Sequence, residues 1–182
     1  MASRIVSGAL AALAAVSLAS GLAGPASAAE PVFRFASIDG GVIDLAEWRG
    51  SPVLVVNTAS LCGFTSQYDD LQALHVRYQA RGLKVLAVPS DDFRQELADA
   101  AEVKEFCETN FNLTIPMTDI TPVKGAGAHP FYGWLQQAHG FVPSWNFNKV
   151  LIGPDGALVG TWGSLTKPGS RAITDRIDAL LP

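Results

Sequence analysis

The chain carries two cysteines, Cys62 and Cys107, forty-five positions apart in 182 residues. Cys62 follows the apolar run Val53-Leu54-Val55-Val56, a strand by pattern that ends at Asn57, and precedes a helical periodicity opening near Ser66. A helix start presents unpaired N–H groups and the positive end of the helix dipole, so a sulfur placed there is favoured as the thiolate. The thiolate is the nucleophilic, redox-active form of cysteine. Many buried cysteines are inert, so position alone leaves Cys62 either reactive or merely packed. No second cysteine stands three residues on, where Thr65 is found, which argues against a Cys-x-x-Cys oxidoreductase. His75, His129 and His139 fall in different predicted elements, none at ligand spacing from a cysteine, so neither a metal nor a cofactor is expected. His129 reads as a helix cap. The sequence holds no Gly-x-Ser-x-Gly and no phosphate-binding glycine loop.

These sulfurs need elements to position them. Val53-Leu54-Val55-Val56 and Val85-Leu86-Ala87-Val88 are short continuous apolar runs, as strands buried on both faces should be. Between them Tyr68, Leu71, Leu74 and Tyr78 recur at helical spacing, with Thr65 or Ser66 as the predicted cap and Gly82 as the stop. A strand–helix–strand unit of this kind makes the two strands parallel. A second helix is predicted over residues 99–110, with Val103, Phe106 and Cys107 on one face. A third opens at Pro130 and should bury Phe131, Trp134, Leu135 and Ala138. Val150-Leu151-Ile152 and Leu158-Val159-Gly160-Thr161 flank Gly153-Pro154-Asp155-Gly156 as a hairpin, and a last helix shows Ile173, Ile177 and Leu180. Near the start, residues 33–38 and 42–45 flank Asp39-Gly40-Gly41 as an extra hairpin. The predicted class is α/β, a thioredoxin-like fold with a mixed central sheet flanked by helices and an added N-terminal hairpin.

Arg4 is the only charge before Glu30, and an Ala/Leu/Val stretch over residues 8–23 leads through Pro25 to Ala26-Ser27-Ala28. A basic start, an apolar middle and a small-x-small end is the pattern of a secretory signal peptide, residues 1–28, with residues 29–182 as the single mature domain. The alternative, a membrane anchor, needs roughly 20 strongly apolar residues; this stretch is mostly Ala and Ser with glycines. The expected location is therefore periplasmic or secreted, without stable membrane insertion. Thirteen basic against seventeen acidic residues give a net charge of −4, with no basic block to bind nucleic acid.

The run Asn57-Thr58-Ala59-Ser60-Leu61-Cys62-Gly63-Phe64-Thr65 closely resembles the active-site signature of the glutathione peroxidase family. Trp145-Asn146-Phe147 is similar to that family's Trp-Asn-Phe motif. Ile38-Asp39-Gly40, Val88-Pro89-Ser90-Asp91-Asp92-Phe93 and Ala128-His129-Pro130-Phe131-Tyr132 fall in the family's order and spacing. The likeness runs from about Phe33 to the end, and most resembles cysteine-type, thioredoxin-dependent bacterial members. It implies that the Cys62 thiolate attacks a peroxide oxygen, leaving a sulfenic acid and expelling water or an alcohol. It further implies that the Trp145 indole N–H and the Asn146 amide donate to the sulfur. Taken without the resemblance, Trp145 reads as a core aromatic and Asn146 as a turn residue.

One position departs from the family pattern. Asp92 stands at the usual Gln position, and Arg94-Gln95-Glu96-Leu97 replaces the glycines and proline that normally follow. An ionised Asp only accepts hydrogen bonds and disfavours a thiolate beside it. Asp92 thus joins the site as a protonated acid or as a proton acceptor through water, or it points away as a loop carboxylate. Glu105-Phe106-Cys107-Glu108 resembles the helix that bears the resolving cysteine in thioredoxin-dependent members. The residues also fit an inert thiol or a permanent Cys62–Cys107 bridge. Sulfurs on elements this separate bridge only if the second helix unwinds or swings.

The expectation is an exported thiol peroxidase for hydrogen peroxide and organic hydroperoxides, recycled through a Cys62–Cys107 disulfide. Its reductant would be a thioredoxin-like dithiol, or else glutathione. The short stretch between Trp134 and Trp145 lacks the insertion of the family's tetrameric members, which implies a monomer. Two rivals share the fold: a peroxide sensor or thiol relay, and a non-enzymatic exported binding module.

Overall fold

The computed structural model describes Met1 and residues 32–182. The predicted signal peptide, apart from Met1, lies outside the described residues. Ten regular elements follow in order: β1 (Arg34–Ala36), β2 (Val42–Asp44), β3 (Val53–Thr58), α1 (Gln67–Tyr78), β4 (Lys84–Pro89), α2 (Ala100–Phe111), α3 (Pro130–His139), β5 (Lys149–Ile152), β6 (Leu158–Trp162) and α4 (Arg171–Leu180). β1 and β2 pair as a separate antiparallel hairpin, and the main sheet runs β4-β3-β5-β6. β3 and β4 are parallel, while β3–β5 and β5–β6 are antiparallel, so the predicted mixed sheet and thioredoxin-like order hold.

β3 is buried along its whole length, as its unbroken apolar run requires. Its period of two sends alternate side chains to opposite faces. Leu54 and Val56 pack with Leu71, Leu74, Val103, Ile173 and Ile177, beneath α1, α2 and α4. Val53 and Val55 pack with Phe33, Phe35, Phe131 and Leu135, beneath the hairpin and α3. Each fully buried aliphatic or aromatic side chain contributes roughly 1.5–3 kcal/mol, so the sheet is fixed from both sides. The N-terminal hairpin is anchored by Phe35, whose ring stacks on His129 at 3.9 Å. His129 caps α3 as predicted, its side chain accepting from the Phe131 N–H.

Several boundaries differ from expectation for local reasons. The first strand shortens to Arg34–Ala36 because Ser37 bridges Thr118 and the Ile38 N–H turns to the Met117 carbonyl. Ser66 makes no side-chain cap: its backbone is already helical, and the Gln67 and Tyr68 N–H groups bond to the Phe64 and Thr65 carbonyls. On α3, Tyr132 is buried beside Phe131 and Leu135, Trp134 is only half-buried and Ala138 faces solvent. Among the described residues no helix is long and apolar enough to cross a membrane.

Candidate active site

Cys62 sits in a succession of tight turns between the end of β3 and the start of α1. The first helical residue is Gln67, so the sulfur lies about one turn ahead of the helix rather than on it. Its residue is 4% exposed, and its neighbour Leu61 is 62% exposed, which puts the thiol just beneath the surface. Two hydrogen bonds pin the backbone immediately before it. The Ser60 N–H donates to Glu96 Oε1 at 2.8 Å, and the Leu61 N–H donates to the Gln95 carbonyl at 2.8 Å.

The turn at Trp145-Asn146-Phe147 is held against the same strand end. Asn57, the fifth residue of β3, donates from Nδ2 to the Trp145 carbonyl at 3.0 Å and accepts from the Asn148 N–H at 3.1 Å. Its own carbonyl accepts from the Phe147 N–H at 2.6 Å. These bonds hold Phe147 at φ +59°, a left-handed conformation costing a non-glycine residue roughly 1–2 kcal/mol. The buried Phe147 ring meets Tyr68 edge-on at 5.2 Å. Trp145 is 40% exposed, packs against Phe93 at 5.3 Å, and its indole N–H makes no hydrogen bond among the described residues. Asn146 is fully buried; its Nδ2 donates to Gln95 Oε1 at 3.0 Å, and its Oδ1 has no partner.

Asp92 is engaged elsewhere. Its Oδ2 accepts from the Val123 N–H at 2.6 Å and the Lys124 N–H at 3.0 Å, pinning that loop. Two residues on, Arg94 adopts φ +57° and turns the chain back so that Gln95 and Glu96 reach the Ser60–Leu61 backbone.

A family model for glutathione peroxidase matches residues 32–136. The hydroperoxy fatty acid reductase of Synechocystis is 39% identical over 147 residues, covering 75% of this chain and 87% of the relative. The chain belongs to the glutathione peroxidase family. It is also 37% identical, over 139 residues, to a glutathione peroxidase-like peroxiredoxin of Saccharomyces cerevisiae, covering 73% of this chain and 85% of that one. The apo crystal structure of Trgpx matches with a TM-score of 0.64 at 33% identity, over 81% of this chain and 92% of that one. The protein is accordingly an oxidoreductase, a thiol peroxidase that reduces peroxides.

The second cysteine lies deeper than the first. Cys107 is fully buried on α2, in the same apolar cluster as Cys62, and both thiols are free. Burial pushes the Cys107 thiol up to about 11; the Glu96 and Glu108 carboxylates push the same way, against the Tyr68 hydroxyl. Glu96 is itself raised by burial, although N–H groups of Ser60 and Leu97 stabilise its charge. Its Oε2 has no partner.

The sequence reading missed Asn57 as a tether, the Gln95–Glu96 clamp and Lys149. Lys149 is fully buried at the start of β5, and its Nζ donates to Gln67 Oε1 at 2.5 Å. Burial lowers its ammonium to about 8. Gln67 Nε2 continues to the Ser164 carbonyl, and the Ser164 hydroxyl donates to the Asn146 carbonyl. A lysine opening a strand reads as exposed, so only its position in Asn148-Lys149-Val150, against the sheet core, could have signalled it. Among the described residues no cluster of three or more His, Cys, Asp or Glu is arranged to hold a metal ion.

Proposed function

We propose that Cys62 is the peroxidatic sulfur, with Trp145 and Asn146 as its hydrogen-bond donors and Cys107 as the resolving thiol. The thiolate attacks one peroxide oxygen; an S–O bond forms as the O–O bond breaks, and the leaving oxygen takes a proton to depart as water or an alcohol. Sulfur supplies both electrons. The Cys107 thiol then gives up its proton, and its sulfur displaces hydroxide from the sulfenic acid to form the disulfide. The proton and hydroxide leave as water, and a dithiol reductant returns both thiols. The observation that carries this reading is the pinned, near-surface Cys62 in one apolar cluster with Phe147, whose left-handed conformation is a form of backbone strain that concentrates at functional sites.

Hydrogen peroxide and organic hydroperoxides both fit. Exposed Trp145 and Leu165 border a groove that also takes in Phe64 and Ser164, an apolar seat for a hydrocarbon chain. The relative named a hydroperoxy fatty acid reductase supports that range, and the one named a peroxiredoxin supports a thioredoxin-like reductant. Glutathione is the second reading, favoured by the depth of Cys107, since a monothiol needs no resolving cysteine. The amino-terminal pattern supports export to a periplasmic or extracellular site, with residues 1–28 removed, and the short stretch between Trp134 and Trp145 supports action as a monomer. The test is peroxide consumption by the Cys62→Ser protein. The reading expects loss of activity below a few per cent of wild type, and substantial residual turnover would remove Cys62 from the role.

A further inference from the structure

Asn146 is a fully buried amide whose carbonyl oxygen has no partner. Its only side-chain hydrogen bond among the described residues is the one from Nδ2 to Gln95 Oε1. A buried amide left wholly unpaired costs roughly 1–3 kcal/mol and is free to turn about its last bond. Gln95 therefore fixes the plane in which the Asn146 amide lies. One N–H of Nδ2 is taken by Gln95, and the second stays available for an anion. Turning both amides over preserves the pair, because each carries a donor and an acceptor. Gln95 Nε2 makes no hydrogen bond among the described residues, so the pair retains spare donors in either orientation.

The backbone delivers Gln95 by a definite route. The Arg94 N–H bonds to the Asp91 carbonyl at 2.8 Å, and the Glu96 N–H bonds to Asp91 Oδ1 at 3.2 Å. Left-handed Arg94 joins these two bonds, and the Gln95 carbonyl lands on the Leu61 N–H, one residue before Cys62. The carboxylate of Asp92 is meanwhile turned to the 123–124 backbone. A neutral amide thus meets Asn146, while the Asp92 side chain is committed to the 123–124 loop.

We propose that Gln95, and not Asp92, is the amide that orients Asn146 toward the Cys62 sulfur, a positioning residue that this chain supplies three places after the expected one. The inference rests on the reading that Cys62 is the reacting sulfur. Its test compares Gln95→Ala, Gln95→Glu and Asp92→Asn with wild type. The readouts are the rate constant for the first oxidation by hydrogen peroxide and the pH profile of Cys62 alkylation. Gln95→Ala should slow the first oxidation at least tenfold. Gln95→Glu is isosteric and keeps an acceptor for Asn146, so it should fold; its added charge should move the alkylation midpoint up by about one pH unit. The backbone bond to Leu61 survives in both variants, so a merely structural residue would leave that profile unmoved. Asp92→Asn should change the rate less than threefold. Gln95 variants within twofold of wild type on both readouts, or a slow Asp92→Asn beside a normal Gln95→Ala, would overturn the inference while leaving Cys62 in its role. An active Cys62→Ser protein would instead overturn the underlying reading, and this inference with it.

Discussion

The two cysteines share one apolar cluster but are held in opposite ways. Ahead of Cys62, consecutive N–H groups are tied to Glu96 and Gln95, and Asn57 binds the Trp145 turn to the same strand end. Cys107 hangs instead from α2, a twelve-residue helix that buries only Val103 and Cys107 completely. Helix α1, of equal length, buries Gln67, Tyr68, Leu71, Leu74 and Tyr78. Phe106 and Phe111 add only partly buried contacts, so α2 is held less firmly than α1 and is the better placed of the two for local opening. Its Lys104 side chain pairs with Asp39 on the surface, a contact of little weight. The contrast suits the proposed cycle: the first sulfur must be fixed at a geometry, and the second must travel.

The largest effect this contrast predicts is on Cys107 itself. A thiol raised from 9.0 to about 11 carries about 100-fold less thiolate at neutral pH. In the Cys62→Ser protein, alkylation of Cys107 should therefore lag the same chain in urea by at least about 100-fold. The pH dependence has a definite sign. The closed helix holds the thiol proton more tightly than the open one, so opening is unaffected below pH 9 and becomes easier as pH rises from 9 to 11. Protection that is absent, or that grows over this range, would erase the distinction between the two sulfurs.

A smaller effect sharpens it. Val103→Ala removes two carbons from the other buried anchor of α2 and should cost about 2 kcal/mol. If α2 opens as a unit, Cys107 labelling in this variant should accelerate about thirtyfold. An unchanged labelling rate would mean that Cys107 is reached only by opening the whole fold.

The strand–turn–helix around Cys62 was legible because its signals are local: an apolar run, a helical period and the motif between them. The Trp145-Asn146-Phe147 turn was legible as a motif, although the strain at Phe147 depends on Asn57, some ninety residues earlier. That Asp92 turns to the 123–124 backbone while Gln95 meets Asn146 was not legible, because the path turns on Arg94. Glycine is the usual left-handed residue, and nothing in an arginine announces that conformation. Lys149 was hidden for a related reason. Its partner Gln67 lies on a different element, and only the assembled sheet brings the two together. Burial of β3 on both faces could be read from its unbroken apolar run, but which polar side chains close the site is decided by loops whose paths are tertiary.

The most direct test of the account is a mass measurement on reduced protein given one equivalent of hydrogen peroxide, for wild type and Cys107→Ser. The account predicts that wild type loses about 2 Da as the Cys62–Cys107 disulfide forms. Cys107→Ser should gain about 16 Da on the peptide containing Cys62, as a sulfenic acid with no thiol to meet. A wild-type gain of about 16 Da with no disulfide would contradict the resolving role of Cys107, and an unmodified Cys62 peptide in both proteins would contradict the account as a whole.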